Sequence, residues 1–324
     1  MSFKWIRILM LSVLFAGCAN DNEQTVREDA VTDETPFIST LEQRVSRTYI
    51  EDGKYLRWNK DDRISIFRGS TMNLQYRFDG ETGDNSGMFY MVDFVFDTGT
   101  ALDHHYAVYP YDKNFKISET GVITLTLPSE QDYAENSFGI GSNAMVATTK
   151  DLSDTFLNFR NINGCLRLQF YGHDITVKSI LLRGNAHERI AGSAHVYSEY
   201  GKIPTLQMAE GATESILLDC GENGVTLSES ADEPTTFWIV IPPLVFSEGI
   251  TVTITDQKNE MKTLSTSNAI TIERNVVKPM AVVELEDFAK HNGNVGVMKE
   301  EAPMTDDDTV YVIGGGKIET QKNE

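Results

Sequence analysis

Apolar and polar positions alternate in short runs along most of this chain. Residues 122–127, Val-Ile-Thr-Leu-Thr-Leu, place Ile123, Leu125 and Leu127 on one side and threonines on the other. A period of two is that of a strand with one buried face. Cys165-Leu-Arg-Leu-Gln-Phe170 repeats the pattern. Further strand-like runs lie at 64–67, 74–78, 88–96, 106–109, 175–182, 190–196, 215–218, 237–241, 250–255, 269–272 and 282–285. Gly, Asp, Asn and Pro punctuate them at about ten-residue intervals, the spacing of sandwiches and barrels. No long helical stripe interrupts the series. Residues 129–139 read as a polar connection with room for a turn of helix. The pattern predicts an all-β chain.

The breaks suggest an organisation. Residues 158–164, Asn-Phe-Arg-Asn-Ile-Asn-Gly, are rich in turn formers, and the strand pattern restarts after them. This predicts two β-sandwich domains, 45–160 and 161–286, each near the usual sandwich size of about 100 residues. Residues 19–43 are polar and acidic until Phe37, Ile38 and Leu41, so 18–44 reads as a flexible tether or propeptide. Residues 287–308 form a polar linker ending in Asp306-Asp-Asp308. Thr309-Val-Tyr-Val-Ile313 then stands alone before Gly314-Gly-Gly316. Its β-branched and aromatic content favours a strand, either of the local sheet or for another molecule.

The N-terminus changes the picture of where the chain works. Lys4 and Arg7 precede a short apolar run, which ends in Leu14-Phe-Ala-Gly-Cys18. That run is too short to span a bilayer and reads as a removed secretory signal, residues 1–17. Its end resembles a lipobox, the site read by bacterial lipoprotein signal peptidase. On that resemblance Cys18 becomes the lipidated first residue of the mature chain. Acyl chains contribute about 0.8 kcal/mol per buried CH₂, so several of them anchor a protein stably.

Charge excludes one class of partner. The formal charge is -20, and losing Lys4 and Arg7 with the leader makes it -22. Binding nucleic acid by counterion release needs clustered Lys and Arg, so no nucleic-acid partner is expected. After Cys18 the chain has only Cys165 and Cys220, both in apolar contexts. They read as buried free thiols, with a disulfide between them as the alternative in an exported compartment.

The residues do not assemble into a catalytic motif. Gly139-Ile-Gly-Ser-Asn-Ala144 matches a loose GxGxxA without a strand-turn-helix context, and reads as a loop. His104 and His105 are adjacent, which on a strand sends them to opposite faces, and they read as a solvated loop end. His187-Glu188 is turn-like. Tyr106, Tyr109 and Tyr111 read as core and rim aromatics rather than a carbohydrate platform. No enzyme activity, metal or cofactor is expected.

Longer stretches carry a resemblance. They are Leu56-Arg-Trp-Asn-Lys-Asp-Asp-Arg-Ile-Ser-Ile-Phe67, Tyr106-Ala-Val-Tyr-Pro-Tyr111, Leu125-Thr-Leu-Pro-Ser-Glu-Gln-Asp-Tyr133 and Asn143-Ala-Met-Val-Ala147. Phe159-Arg-Asn-Ile-Asn-Gly-Cys-Leu-Arg-Leu168, Ser179-Ile-Leu-Leu-Arg-Gly-Asn-Ala-His-Glu-Arg-Ile-Ala-Gly192 and Val252-Thr-Ile-Thr-Asp256 continue them. In order and spacing, over 45–286, the chain resembles the fimbrillin-like family of Bacteroidetes surface lipoproteins, the type V pilins.

The resemblance implies two tandem transthyretin-like β-sandwiches after a lipoprotein signal peptide. It also implies an assembly route. A lipid-anchored precursor is exported through the periplasm to the outer membrane. An Arg-specific protease cuts near the N-terminus, at Arg44 or Arg47 here, and the first strand leaves with the anchor. Another pilin subunit then donates a strand, for which Thr309, Val310, Tyr311, Val312 and Ile313 are the candidate segment. The implied role is a structural or adhesive fimbrial subunit. The alternatives are a monomeric lipid-anchored binder of a host protein or glycan, and an anchor subunit that keeps its lipid.

Overall fold

A computed structural model describes residues 36–42, 56–286, 288 and 295–298; Cys18, Arg44, Arg47 and Thr309 to Ile313 lie outside them. The described residues are all-β, and none of them is helical. The first strands are β1 (Phe37–Leu41), β2 (Arg63–Ser70), β3 (Asn73–Asp79), β4 (Ser86–Met91) and β5 (Ala101–Tyr109). β6 (Lys116–Ile117), β7 (Val122–Leu127), β8 (Glu130–Ala134) and β9 (Ser137–Phe138) follow, and then β10 (Met145–Thr148) and β11 (Phe156–Asn161). Seven of these close into a barrel in the order β1-β11-β10-β5-β2-β3-β4. Closure rests on β1, which lies parallel to β11 and antiparallel to β4. Without it, those two neighbours would be free sheet edges.

Two short-range expectations change here. Residues 37–41 belong to a barrel strand and not to a flexible tether. Phe37, Ser39 and Leu41 point inward at period two, and that alternation outweighs the acidic stretch before it. Residues 158–164 read as turn-rich, yet 156–161 form β11. Leu157, Phe159 and Asn161 are its buried positions, so the asparagines sit within a regular alternation.

The remaining strands are β12 (Gly164–Tyr171), β13 (Thr176–Gly184), β14 (Gly192–Tyr197), β15 (Thr205–Met208), β16 (Ser215–Asp219), β17 (Val225–Thr226) and β18 (Thr235–Ile241). After them come β19 (Leu244–Phe246), β20 (Ile250–Asp256), β21 (Met261–Ser265), β22 (Ile270–Ile272), β23 (Val277–Pro279), β24 (Val283–Glu284) and β25 (Val295–Val297). One sheet runs β25-β21-β20-β13-β16-β8-β9, and another is centred on β12 between β18 and β23. Their facing sides bury Leu166, Phe170, Ile180, Phe237, Ile239 and Ile254 in one core. The barrel has its own core around Trp58.

Two pairings cross residue 160. β7 pairs with β14, and β8 lies parallel to β16. A third cluster accordingly joins Ile123 and Leu125 to Ala194 and Val196. Residues 129–139 carry β8 and β9 instead of a helical turn. The buried Gln131 explains the polar run: its Nε2 donates to the Val240 carbonyl (2.8 Å), and its Oε1 accepts from the Val240 amide (2.9 Å). A side-chain amide thus takes the place of a neighbouring strand. The expected strand at 88–96 stops at Met91. In the polar 287–308 stretch, β25 lies parallel to β21, and Met298 is buried in the C-terminal core.

Candidate functional site

The seat of β1 is where the described structure meets the expected assembly chemistry. Phe37 pairs with Phe89 across β4, and Ser39 lies opposite Gly87 and Leu157. The Ile38 amide donates to the Thr155 carbonyl (2.9 Å), and the Glu42 amide to the Phe159 carbonyl (2.8 Å). Below the strand, the Phe37 ring meets Tyr76 and His105 edge-on, with centroids 5.5 and 5.2 Å away. The floor continues through Trp58, which touches Phe78, Phe89, Tyr109 and Phe159. All of these but the tilted Trp58–Phe78 pair are edge-on, which suits the ring quadrupoles.

A small side chain fills the middle of the seat. Ser39 is fully buried, and its hydroxyl donates to the Gly87 carbonyl (3.2 Å). A Cβ on Gly87 would stand 2.4 Å from the Phe78 ring, so that ring covers the glycine directly. The outer side is apolar too. Met88, Ile38 and Phe156 form one exposed row across β4, β1 and β11.

An ion pair closes the C-terminal end of β1. The Arg274 guanidinium meets Glu42 in a two-point contact, Nη1 to Oε2 at 2.5 Å and Nη2 to Oε1 at 2.9 Å. The side chains are 18% and 14% exposed, so the pair is largely out of water. Arg274 Nη1 also donates to the Asn161 carbonyl (2.8 Å) at the end of β11. Asn161 Nδ2 donates to Asn275 Oδ1 (2.6 Å), and Asn143 Nδ2 donates to Asn161 Oδ1 (2.7 Å). Asn275 has φ +58°, which turns the chain between β22 and β23 and aims Arg274 back at the barrel. Glu42 and Leu56, at the two ends of the 43–55 connection, both border one cavity of about 60 Å³ with Phe138, Cys165 and Trp238.

The expected site residues place as follows. Arg44 and Arg47 fall in that 43–55 connection, outside the described residues, so β1 precedes both. Cys18 and Thr309 to Ile313 also lie outside the described residues. His104 and His105 do not lie on a solvated loop end: both are in β5, and His105 is buried. Burial lowers the His105 pKa, and its Nε2–H donates to the Leu152 carbonyl (3.0 Å). Tyr106 and Tyr109 are core residues. Cys165 and Cys220 are both free and buried. His173, Asp174 and Glu229 cluster on the surface, but both ring nitrogens of His173 already face carboxylates. Glu42 and Arg274 had no signal in the sequence, because 232 positions separate them. β1 did have one, the alternation of Phe37, Ser39 and Leu41.

No family model matches this chain, and no curated protein matches it by sequence. Among solved structures, it is similar to a candidate cell adhesion protein from Bacteroides ovatus at 16% identity and TM-score 0.43, covering 81% of this chain and 100% of that one. It is similar to the tip fimbrial protein Mfa3 from Porphyromonas gingivalis at 8% identity and TM-score 0.30, covering 76% and 97%. The fimbrial anchor protein Mfa2 from Porphyromonas gingivalis gives 11% identity and TM-score 0.29, covering 72% and 91%. The structural neighbours of this chain are thus fimbrial proteins and candidate adhesion proteins of Bacteroidetes.

Proposed function

We propose that this chain is a non-enzymatic structural or adhesive subunit of a cell-surface fimbria, and that the seat of β1 is where it accepts a strand from another subunit. The observation that carries the reading is the position of β1. It is the closing strand of a barrel, and it joins the rest of the molecule through a connection containing Arg44 and Arg47. One cut there leaves β1 held by non-covalent contacts alone. Its loss exposes the edges of β4 and β11 and the apolar floor between them. A strand from a neighbour satisfies both the unpaired backbone groups and the floor, which is β-augmentation. A head-to-tail contact that does not close builds a fibre.

In this reading Cys18 carries the lipid that holds the precursor at the outer membrane. The chain folds as two sandwich-type units that share residues 122–138. Thr309 to Ile313 are the strand offered to the next subunit, and a host protein or glycan is the adhesion partner.

The test is the N-terminus of the mature protein recovered from the cell surface, together with the polymer ladder. A chain that begins just after Arg44 or Arg47, and forms detergent-resistant ladders lost on deletion of 305–324, is the expected result. Ladders that survive that deletion would remove the donor role of 309–313. A chain that still begins at acylated Cys18 and runs as one band would overturn the polymerising subunit. It would leave an anchor subunit or a monomeric surface binder.

A further inference from the structure

Cutting the 43–55 connection does not by itself empty the seat. β1 keeps hydrogen-bonded neighbours on both sides, the Phe37 ring stays in the core, and Glu42 stays bound to Arg274. The ion pair differs from the other contacts in kind. The barrel strands β4 and β11 supply the backbone pairing, but Arg274 comes from the turn between β22 and β23, in the other half of the molecule. It is held there independently of Glu42, by its bond to the Asn161 carbonyl and by the Asn161–Asn275 contact. Arg274 is therefore a prepared socket for one carboxylate. Withdrawing that carboxylate takes the charge partner from a guanidinium that is only 18% exposed while the pair is formed, and breaking a largely buried pair by removing one partner is unfavourable. The two-point geometry adds selectivity, because a planar guanidinium matches a carboxylate better than an amide or a hydroxyl.

We propose that Arg274 is the element of the β1 seat that retains and selects the strand. It keeps β1 bound after the chain is severed, and it favours a replacing strand with a carboxylate at the position of Glu42. This deepens the reading of the seat as a strand acceptor and rests on it. The seat then specifies its guest by a short pattern: a large apolar residue, a small one two positions on, a second apolar residue two further on, and an acid directly after. Phe37, Ser39, Leu41 and Glu42 supply it. Thr309 to Ile313, laid on β1 residue for residue, would put Tyr311 at the buried Ser39 position and Gly314 opposite Arg274. In that register Thr309 to Ile313 does not supply the pattern, so the guest assigned to this seat is a strand of a different subunit that does.

The experiment uses the full chain with a single-site protease sequence in place of residues 47–52. After cutting, the N-terminal fragment is allowed to exchange against peptides spanning residues 36–46, carrying either Glu or Gln at position 42. We expect the Glu peptide to displace the fragment and to bind about tenfold more tightly than the Gln peptide or more. Arg274→Gln should abolish this preference. A peptide built on residues 308–316 should compete poorly. Release of the fragment from cut Glu42→Gln chain, measured by mass spectrometry after dilution, gives a second readout that leaves Arg274 and the body unchanged. Equal affinity of the two peptides, with equal release from both chains, would overturn the proposal. So would strong competition by the 308–316 peptide against the selection of an unlike chain. These outcomes are separable from the fimbrial reading, which fails if surface protein still begins at Cys18, whatever the peptides do.

Discussion

At the scale of single residues, burial sets the chemistry of the titratable groups. Asp62 accepts a bond from the Asn59 amide (2.8 Å) and another from the Tyr109 hydroxyl (3.3 Å). Desolvation outweighs both and pushes its pKa up to about 7. The folded chain thus holds a proton there that the unfolded chain releases near the ordinary carboxylate value. Stability from this group is complete below that value and is lost as pH rises towards 7. Asp62→Asn should flatten the fall in melting temperature between pH 4 and pH 8, as measured by calorimetry on both chains. The thiols follow the same logic. Burial pushes Cys220 up to about 12 and Cys165 higher still. Chain lacking residues 1–18 should resist alkylation at pH 8 when folded and take up two labels in denaturant. Rapid labelling of the native protein would show that one thiol is accessible.

Among elements, β1 and β11 show how a strand is read or missed. β7 was legible to the residue, because Thr and apolar residues alternate and turn formers bound it. β11 was hidden by Asn158 and Asn161; the second is buried and bonds Asn143 and Asn275, 18 and 114 positions away. β1 was masked by the acidic residues before it, although its inward positions were visible. Its seat depends on close contact at Gly87. Gly87→Ala would drive a methyl into the Phe78 ring and should destabilise the barrel by about 1–3 kcal/mol, the usual range for overpacking. Urea denaturation measures this directly. A neutral result would mean that Phe78 moves aside freely.

For the whole molecule, the tail and the crossing pairs matter most. Residues 287–308 look like a linker, yet β25 pairs with β21 and Met298 enters the C-terminal core. Met298→Ala should cost about 2–5 kcal/mol, as buried Met to Ala changes do, and should make the tail more susceptible to protease. Unchanged stability would show that the tail is not docked there in solution. The pairings of β7 with β14 and β8 with β16 tie the two cores together, so the halves should unfold in one transition. Coincident fluorescence and far-UV curves would bear this out, whereas two separate transitions would not.

Local alternation and turn residues determined by themselves that this chain is all-β, and where most of its strands lie. Side-chain direction in a strand depends only on position parity, so one stretch of sequence contains the information. The apolar contexts of Cys165 and Cys220 likewise pointed to buried thiols, and the structure leaves both free. The tertiary structure alone decided that β1 closes a barrel, that Gln131 stitches two sheets together, and that Arg274 meets Glu42. Each of these is a contact between residues distant along the chain. A contact of that kind depends on how strands are ordered in sheets, and no local pattern encodes that order.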